Sequence, residues 1–168
     1  MKQRTKIAIA LGSNLGAREN WLAEAFTHLR EDLLEDAKGS RVYETEPWGD
    51  LDQPHFLNAV VVGFTDWGPA AIVNYLKRLE AEMGRVPSRP SGPRLIDLDL
   101  LAYGEKVFHA EGVEVPHPRM SDRDFVLLPL AEVWGDWKHP TLGLSAKELA
   151  DRCPKRYLVP FGSTPAWP

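Results

Sequence analysis

The chain has 168 residues, of which 43% are hydrophobic and 26% charged, and its formal net charge is -4. This composition is ordinary for a globular protein, and the acidic balance argues against a nucleic-acid partner, which would favour a basic surface. The single cysteine, Cys153, excludes an internal disulfide, and no Cys/His cluster indicates zinc. We expect one domain over residues 1–168, a monomer in the reducing cytoplasm with no membrane partner.

A first strand is predicted over residues 5–11, which are apolar and β-prone. The basic residues before it resemble the start of a signal peptide, but the apolar run is too short for one and no cleavage site follows. No run in the sequence has transmembrane length. The Gly-rich turn over residues 12–16 lacks the Lys-Ser/Thr ending of a P-loop. It either brings backbone N–H groups to a ligand or lets Ser13 or Asn14 cap the next helix.

Two amphipathic helices are predicted, over residues 18–34 and 69–83. In both, apolar residues recur at spacings of 4, 3 and 4, which places them on one helical face. These residues are Leu22, Phe26, Leu29 and Leu33 in the first helix, and Ile72, Leu76, Leu79 and Met83 in the second. Pro69 suits a first helical turn, and Gly84 ends the second helix.

Between these helices the pattern indicates two strands, over residues 40–44 and 56–64, joined by a Pro-, Gly- and Asp-rich loop over residues 45–54. Phe56 and Asn58 share one face at the start of the later strand. An aromatic plane beside an amide could stack a heterocycle and hydrogen-bond its edge. A core Phe beside an Asn that bonds loop backbone is the alternative.

The second helix leads into a loop that carries Arg85, Arg89 and Arg94 among Pro, Ser, Gly and Val. The segment that follows alternates regularly and predicts a strand. Ile96, Leu98, Leu100 and Ala102 lie on one face of it, and Asp97, Asp99 and Leu101 on the other.

Asp97 and Asp99 are the candidate metal ligands. Carboxylates at i and i+2 of a strand lie about 7 Å apart and repel each other unless a cation lies between them. Mg²⁺ is usually held by one or two carboxylates with water and substrate phosphates, so this strand indicates a metal that arrives with a nucleotide. Arg94, at the strand entrance, suits a phosphate. A solvated acidic edge strand is the alternative.

The remaining sequence predicts additions to this core. A hairpin is predicted around residues 107–108 and 113–115, a helix over residues 125–133 interrupted by Pro129, and a short helix over residues 147–152 after a Ser145 cap. Residues 154–168 contain four prolines and predict an irregular arm.

The element order predicts an α+β fold: a ferredoxin-like βαββαβ core with an antiparallel sheet, both helices on one face, and C-terminal hairpin and helical additions. The opposite face of the sheet would then be free for a site.

Several motifs together closely resemble the 6-hydroxymethyl-7,8-dihydropterin pyrophosphokinase family of folate biosynthesis. The likeness runs from about residue 7 to about residue 134. Its motifs are Gly12-Ser13-Asn14, Asp52-Gln53-Pro54 with Phe56-Leu57-Asn58, Gly84-Arg85-Val86, Gly92-Pro93-Arg94 with Asp97-Leu98-Asp99, and Val115-Pro116-His117. The Pro-Arg-x-x-Asp-Leu-Asp element is the most specific of them.

The resemblance implies transfer of a pyrophosphoryl group from ATP, the co-substrate, to the hydroxymethyl oxygen of the pterin, with release of AMP. It implies that Asp97 and Asp99 hold two Mg²⁺ ions, and that Arg85, Arg94, Asp97 and Asp99 form the catalytic set. The implied nucleotide contacts are Glu80, Arg85, Arg89, Arg94, Ile96, His117 and Arg123. The implied pterin pocket is Thr45, Pro47, Trp48, Phe56, Asn58 and Phe125. The implied partners are these two small molecules.

The chain also departs from the family pattern. Ser91 stands where an aromatic residue is common, Pro87 and Pro90 stiffen the loop, and Pro118 replaces a tyrosine found in some members. These changes bear on loop closure and leave the metal pair intact.

Three other functions are compatible with parts of this pattern. A ferredoxin-like RNA-binding module would need a basic sheet surface with aromatic residues, which the acidic composition disfavours. A relative that binds pterin or ATP without turnover conflicts with the intact Asp97 and Asp99. A different Mg²⁺-dependent transferase would differ in its products, since an ordinary kinase forms ADP rather than AMP.

Overall fold

A computed structural model describes residues 3–47, 51–86, 92–110, 112–154, 158–162 and 167–168. The helices are α1 (Arg18–Asp32), α2 (Pro69–Glu82), α3 (Asp124–Trp134) and α4 (Ala146–Arg152). The strands are β1 (Thr5–Ser13), β2 (Glu35–Gly39), β3 (Tyr43–Thr45), β4 (Phe56–Thr65), β5 (Asp97–Tyr103), β6 (Phe108–Ala110), β7 (Val113–Val115) and β8 (Leu158–Pro160). Within the described ranges, no helix is long and apolar enough to cross a membrane.

An antiparallel sheet in the order β5-β1-β4-β3-β8 organises the fold, and β2 also pairs with β4. The central strands β1 and β4 are apolar on both faces, as a strand covered on both sides must be. The predicted strands over residues 5–11 and 56–64 are confirmed, and each extends slightly further. The short strands β6 and β7 form the predicted hairpin.

Helices α1 and α2 cover one face of the sheet, as their apolar stripes predict. Leu22, Phe26 and Leu29 of α1 and Ile72, Leu76 and Leu79 of α2 pack there with Ile7, Ile9 and Leu11 of β1. The expectation that all of the other face is free is wrong. Helices α3 and α4 cover much of it, where Leu127, Leu130 and Leu149 pack against Ala8, Val60 and Val62. The end of this face beside the start of α3 is uncovered, and the candidate functional site lies there.

Three local predictions need correction. The strand predicted over residues 40–44 is wrong at its start, because only β3 (Tyr43–Thr45) overlaps it, and β2 precedes it as a strand that was not predicted. Between the two strands, the Ser40 hydroxyl accepts from the Val60 N–H. Ala102 was predicted to share a face with Ile96, Leu98 and Leu100. It lies instead on the face of the sheet that α3 covers, because the register between β5 and β1 shifts near Leu101. The C-terminal arm is not wholly irregular, since β8 pairs with β3 and the Trp167 ring lies 4.9 Å from that of Phe26.

Candidate functional site

Gly12 of the central strand lies between the two groups of predicted site residues. In the register of the sheet it pairs with Asn58 of β4 on one side and with Asp97 of β5 on the other. Ala10, two residues earlier, lies in the same way between Val60 and Asp99. Because neighbouring strands are about 4.8 Å apart, the Asn58 and Asp97 backbones lie roughly 10 Å apart across this small-residue strand.

The Asn58 side of this arrangement is fixed by close contacts. The amide nitrogen of Asn58 donates to the Thr45 hydroxyl at 2.7 Å, and Thr45 is buried. A Cβ on Gly12 would lie 2.8 Å from Asn58 Oδ1 and 3.7 Å from the Phe56 ring. Glycine is therefore required in β1 so that Asn58 and Phe56 can lie against the strand.

A cleft, here called the first cleft, opens on the uncovered end of the sheet. It gathers nine of the residues assigned from the sequence: Thr45, Phe56, Asn58, Arg94, Asp97, Asp99, His117, Arg123 and Phe125. An aromatic and amide-lined part therefore joins a charged part within one space. Such a mixture of apolar walls with a few convergent polar groups is typical of a small-molecule site.

A second cleft lies on the other side of β5. It is lined by Glu80 and Arg85 and shares Asp97, Asp99 and His117 with the first cleft. The two carboxylates therefore stand where the two spaces meet, and a group bound between the clefts would contact both.

Arginines neutralise Asp97. Arg85 Nη1 lies 3.0 Å from Asp97 Oδ1, and Arg94 Nη1 lies 3.1 Å from Asp97 Oδ2. The same Arg85 nitrogen donates to Glu80 Oε2 at 2.7 Å, and that oxygen also accepts from the Leu98 N–H at 2.7 Å. Burial raises the pKa of Glu80, and these hydrogen bonds oppose that rise.

Asp99 faces a more crowded anionic environment. Burial, followed by the charges of Asp97 and Glu80, raises the pKa of Asp99 to about 7, and the charges of Arg123 and Arg94 oppose this rise. Burial likewise lowers the pKa of Arg123. A cation placed beside Asp99 would favour its ionised form, and hard oxygen donors of this kind suit Mg²⁺.

No group of three or more His, Cys, Asp or Glu side chains among the described residues could hold a metal by itself. Two carboxylates nevertheless fit an ion such as Mg²⁺, which keeps several waters and takes its remaining ligands from a substrate. Asp97 and Asp99 are therefore compatible with a metal that is completed by phosphate oxygens.

His117 is a neutral group in this site. Burial, followed by the nearby charge of Arg123, lowers its pKa to about 4. Its Nδ1 accepts from the Arg119 N–H at 3.2 Å, so the ring proton is on Nε2. The His117 backbone N–H donates to the Leu101 carbonyl at 2.9 Å, which ties this turn to β5.

Not every assigned residue reaches the clefts. The Ile96 side chain is fully buried in the core with α1 and α2, so a nucleotide contact there would have to come from its main chain. Pro47 is buried next to Thr45 and Glu46 rather than lining either cleft. Trp48 and Arg89 lie outside the described residues, as do Pro87, Pro90 and Ser91.

The structure also brings residues to the site that sequence reasoning missed. Lys77, Leu100, Glu114 and Pro118 line the second cleft. The helical period offered a signal for Lys77, which lies close to Glu80 on α2, but Glu114 depends on where the hairpin docks.

The prediction that Asn14 or Ser13 caps the next helix is wrong. Helix α1 begins after Ala17 without a side-chain cap, and Asn14 instead binds two other loops of the site.

Comparison with known proteins gives a consistent result. Residues 8–135 match the family model described as 7,8-dihydro-6-hydroxymethylpterin-pyrophosphokinase (HPPK). The 2-amino-4-hydroxy-6-hydroxymethyldihydropteridine pyrophosphokinase of Aquifex aeolicus is 37% identical over 155 residues, which cover 92% of this chain and 94% of that protein.

Longer relatives and solved structures also match. The folic acid synthesis protein fol1 of Pneumocystis carinii is 41% identical over 139 residues, or 83% of this chain, but the match spans only 19% of that protein's length. A crystal structure of wild-type Plasmodium falciparum HPPK-DHPS with pterin and p-hydroxybenzoate has a TM-score of 0.70 at 16% identity, covering 90% of this chain and 43% of that one. At that identity the structural likeness supports the fold alone.

Proposed function

The chain belongs to the 7,8-dihydro-6-hydroxymethylpterin-pyrophosphokinase family, and we therefore propose that it transfers pyrophosphate from ATP to 6-hydroxymethyl-7,8-dihydropterin in folate synthesis. The single observation that best supports this proposal is the position of Gly12 between Asn58 and Asp97. A flat heterocycle held on the Asn58 side would point a substituent along the strand-to-strand direction, toward the carboxylates.

The pterin is proposed to bind in the part of the first cleft formed by Thr45, Phe56, Asn58 and Phe125, with Pro47 and Trp48 alongside. The hydrogen bond from Asn58 to Thr45 leaves Asn58 Oδ1 to accept from the amino or ring N–H groups of a pterin. Phe56 and Phe125 offer aromatic surfaces to the ring system.

Asp97 and Asp99 are proposed to hold two Mg²⁺ ions that enter with ATP. When bound, such ions neutralise the developing charge on the transferring phosphoryl groups. The carboxylates themselves position these charges at the junction of the two clefts. Their crowding with Glu80, which raises the pKa of Asp99, is relieved by a bound cation.

The nucleotide is proposed to bind in the second cleft, beside Glu80, with Arg85, Arg89, Arg94 and Arg123 toward its phosphates and Ile96 in contact through its main chain. Guanidinium groups form bidentate, charge-assisted hydrogen bonds with phosphate oxygens. His117, neutral because its pKa is lowered, would donate from Nε2–H without adding a charge.

The transfer itself needs positioning and charge neutralisation more than covalent chemistry from the protein. The hydroxymethyl oxygen forms a bond to the β-phosphorus of ATP, and the bond from that phosphorus to the oxygen bridging the α- and β-phosphates breaks. AMP leaves with the electron pair, and the hydroxyl proton passes to solvent. Arg94 and Arg85 stand beside Asp97, where they can hold the pyrophosphoryl group during this exchange.

We also propose that residues 1–168 form a single pyrophosphokinase domain with a ferredoxin-like core. The strand order, in which β1 lies between β5 and β4 and both β2 and β3 pair with β4, supports this description. The packing of Trp167 against Phe26 joins the C-terminal arm to the same core. A monomer acting on two small molecules in the cytoplasm is the simplest form of this proposal.

The proposal is tested by incubating the purified chain with 6-hydroxymethyl-7,8-dihydropterin, ATP and Mg²⁺ and separating the nucleotides by chromatography. We expect pterin-dependent AMP in an amount equal to the pterin diphosphate formed, and none from the Asp97→Ala variant. Formation of ADP in place of AMP would mean an ordinary kinase reaction and would overturn the proposal.

A further inference from the structure

Asn14 is a buried polar residue that the proposed mechanism does not use. It follows β1 directly and is 1% exposed. Because helix α1 begins after Ala17 with no side-chain cap, helix capping does not account for an amide at this position.

One end of the Asn14 network fixes the backbone of Arg94. The Arg94 N–H donates to Asn14 Oδ1 at 2.8 Å, and the Asn14 N–H donates to the Arg94 carbonyl at 3.0 Å. Two hydrogen bonds to one residue set both its position and its orientation. They therefore fix the backbone position from which the Arg94 side chain reaches Asp97. There, Arg94 Nη1 lies 3.1 Å from Asp97 Oδ2.

The other end of the network holds the loop that leads into β4. Asn14 Nδ2 donates to Gln53 Oε1 at 2.8 Å and to the Pro54 carbonyl at 3.0 Å. Two residues after Pro54, Phe56 begins β4 and lines the part of the first cleft that is proposed to bind the pterin.

The side-chain amide is thus divided between two loops. Its oxygen accepts from the Arg94 backbone, and its amide nitrogen donates to Gln53 and to the Pro54 carbonyl. A carboxylate could accept from the Arg94 segment but could not donate to the Gln53 segment, and an apolar side chain could do neither. A buried amide without these partners would destabilise the fold. Asparagine is therefore required by both contacts at once.

We propose that Asn14 is a positioning residue that sets the distance between the phosphate-binding Arg94 and the pterin-binding side of the cleft. This inference rests on the proposed function. It assigns to the Gly12-Ser13-Asn14 turn the task of aligning the two substrates rather than of binding either one.

The test compares Asn14→Asp, Asn14→Leu and Gln53→Ala with the exposed control Asn20→Asp. For each protein, kcat and the KM values for ATP and pterin are measured below the unfolding midpoint, where circular dichroism matches wild type. Asn14→Asp keeps the acceptor for the Arg94 N–H, so we expect the pterin KM to rise about tenfold while the ATP KM changes little.

Asn14→Leu loses both contacts, so both KM values rise and kcat falls by about tenfold or more because the substrates are misaligned. Gln53→Ala removes one contact on the pterin side only, and we expect a rise in the pterin KM alone, of about threefold. Asn20→Asp should match wild type.

Folded Asn14 variants with wild-type kcat and KM values, even if less stable, would overturn the positioning role. If both Asn14 variants failed to fold, an unchanged pterin KM in Gln53→Ala would overturn it instead. A wild-type chain that releases no pterin-dependent AMP would refute the proposed function, whereas an active wild type beside unaffected variants would refute only this inference.

Discussion

Arg85 and Asp97 form an ion pair, with Arg85 Nη1 lying 3.0 Å from Asp97 Oδ1. Arg94 pairs with the other oxygen of the same carboxylate, so a proposed metal ligand is held between two guanidinium groups. A nucleotide that arrives with a metal brings a cation for Asp97 and phosphate oxygens for the arginines. Substrate binding would then exchange these ion pairs for new ones without leaving a buried charge unpaired.

Replacement of Asp97 by Asn should abolish turnover while the fold survives. The neutral amide removes a hard anionic oxygen from the metal pair, and we expect kcat to fall by about a thousandfold. Steady-state assays of AMP formation, with circular dichroism of the same samples, measure both effects. Asp151→Asn, on an exposed position of α4, is the matched control and should remain active. Near-normal activity in Asp97→Asn would refute the metal assignment.

Addition of a single methyl group at Gly12 should weaken pterin binding. The new Cβ would lie 2.8 Å from Asn58 Oδ1, so Asn58 must move away from the strand. We expect Gly12→Ala to raise the pterin KM by about tenfold or more and to change the ATP KM less. Gly68→Ala is the control, since its new Cβ would have no atom within 4 Å from any described residue other than Gly68 itself and its two neighbours in the chain. Equal rises in both constants would argue against a pterin site at Asn58.

Tyr43 predicts a pH dependence of stability at alkaline pH. Burial, followed by the hydrogen bond that its hydroxyl donates to Glu132, raises the pKa of Tyr43 from 10.0 to about 12. Because the folded pKa lies above the unfolded one, this contribution is fully present below pH 10 and is lost as the pH rises toward 12.

The free energy of unfolding of the wild type should therefore fall more steeply between pH 10 and 12 than that of Tyr43→Phe, which has no hydroxyl to ionise. Urea denaturation at a series of pH values measures this difference. Parallel pH profiles for the two proteins would show that the Tyr43 hydroxyl is not protected by the fold.

Trp167 should stabilise the protein without contributing to turnover. Its ring packs on Phe26, and its Nε1–H donates to the Ser40 carbonyl at 2.9 Å. We expect Trp167→Ala to lower the free energy of unfolding by about 1–2 kcal/mol, with kcat unchanged below the unfolding midpoint. Val159→Ala, an exposed change on β8, should cost less than about 0.5 kcal/mol. A Trp167→Ala variant as stable as wild type would contradict the docking of the C-terminal arm.

Periodicity in the sequence predicted the elements whose apolar faces meet the core. Helices α1 and α2 and strands β1 and β4 follow directly from such patterns. Strand β2 was missed because Glu35–Gly39 is mostly polar, and it forms a strand by pairing with β4 rather than through its own preference. Helix α3 covers the second face through contacts between residues that are far apart in the sequence, and no local pattern predicts such contacts.

The residues of the candidate site were likewise predicted in part from local patterns and in part not at all. Local alternation placed Asp97 and Asp99 on one face of β5, and the proximity of Arg94 followed from its position three residues before Asp97. The contacts of Asn14 could not be foreseen, because Arg94 and Gln53 lie 80 and 39 residues away in sequence. A buried polar residue is recognised by its partners, and those are known only once the chain is folded.

In the proposed reaction, two phosphoryl groups move together from ATP to the pterin. The most direct measurement uses ATP labelled with ³²P at the β-phosphate in one reaction and at the γ-phosphate in another, with pterin products separated from nucleotides. Pyrophosphoryl transfer should place both labels in the pterin product in equal amounts and leave unlabelled AMP as the remaining nucleotide. Transfer of the γ-label alone, with the β-label retained in ADP, would contradict it.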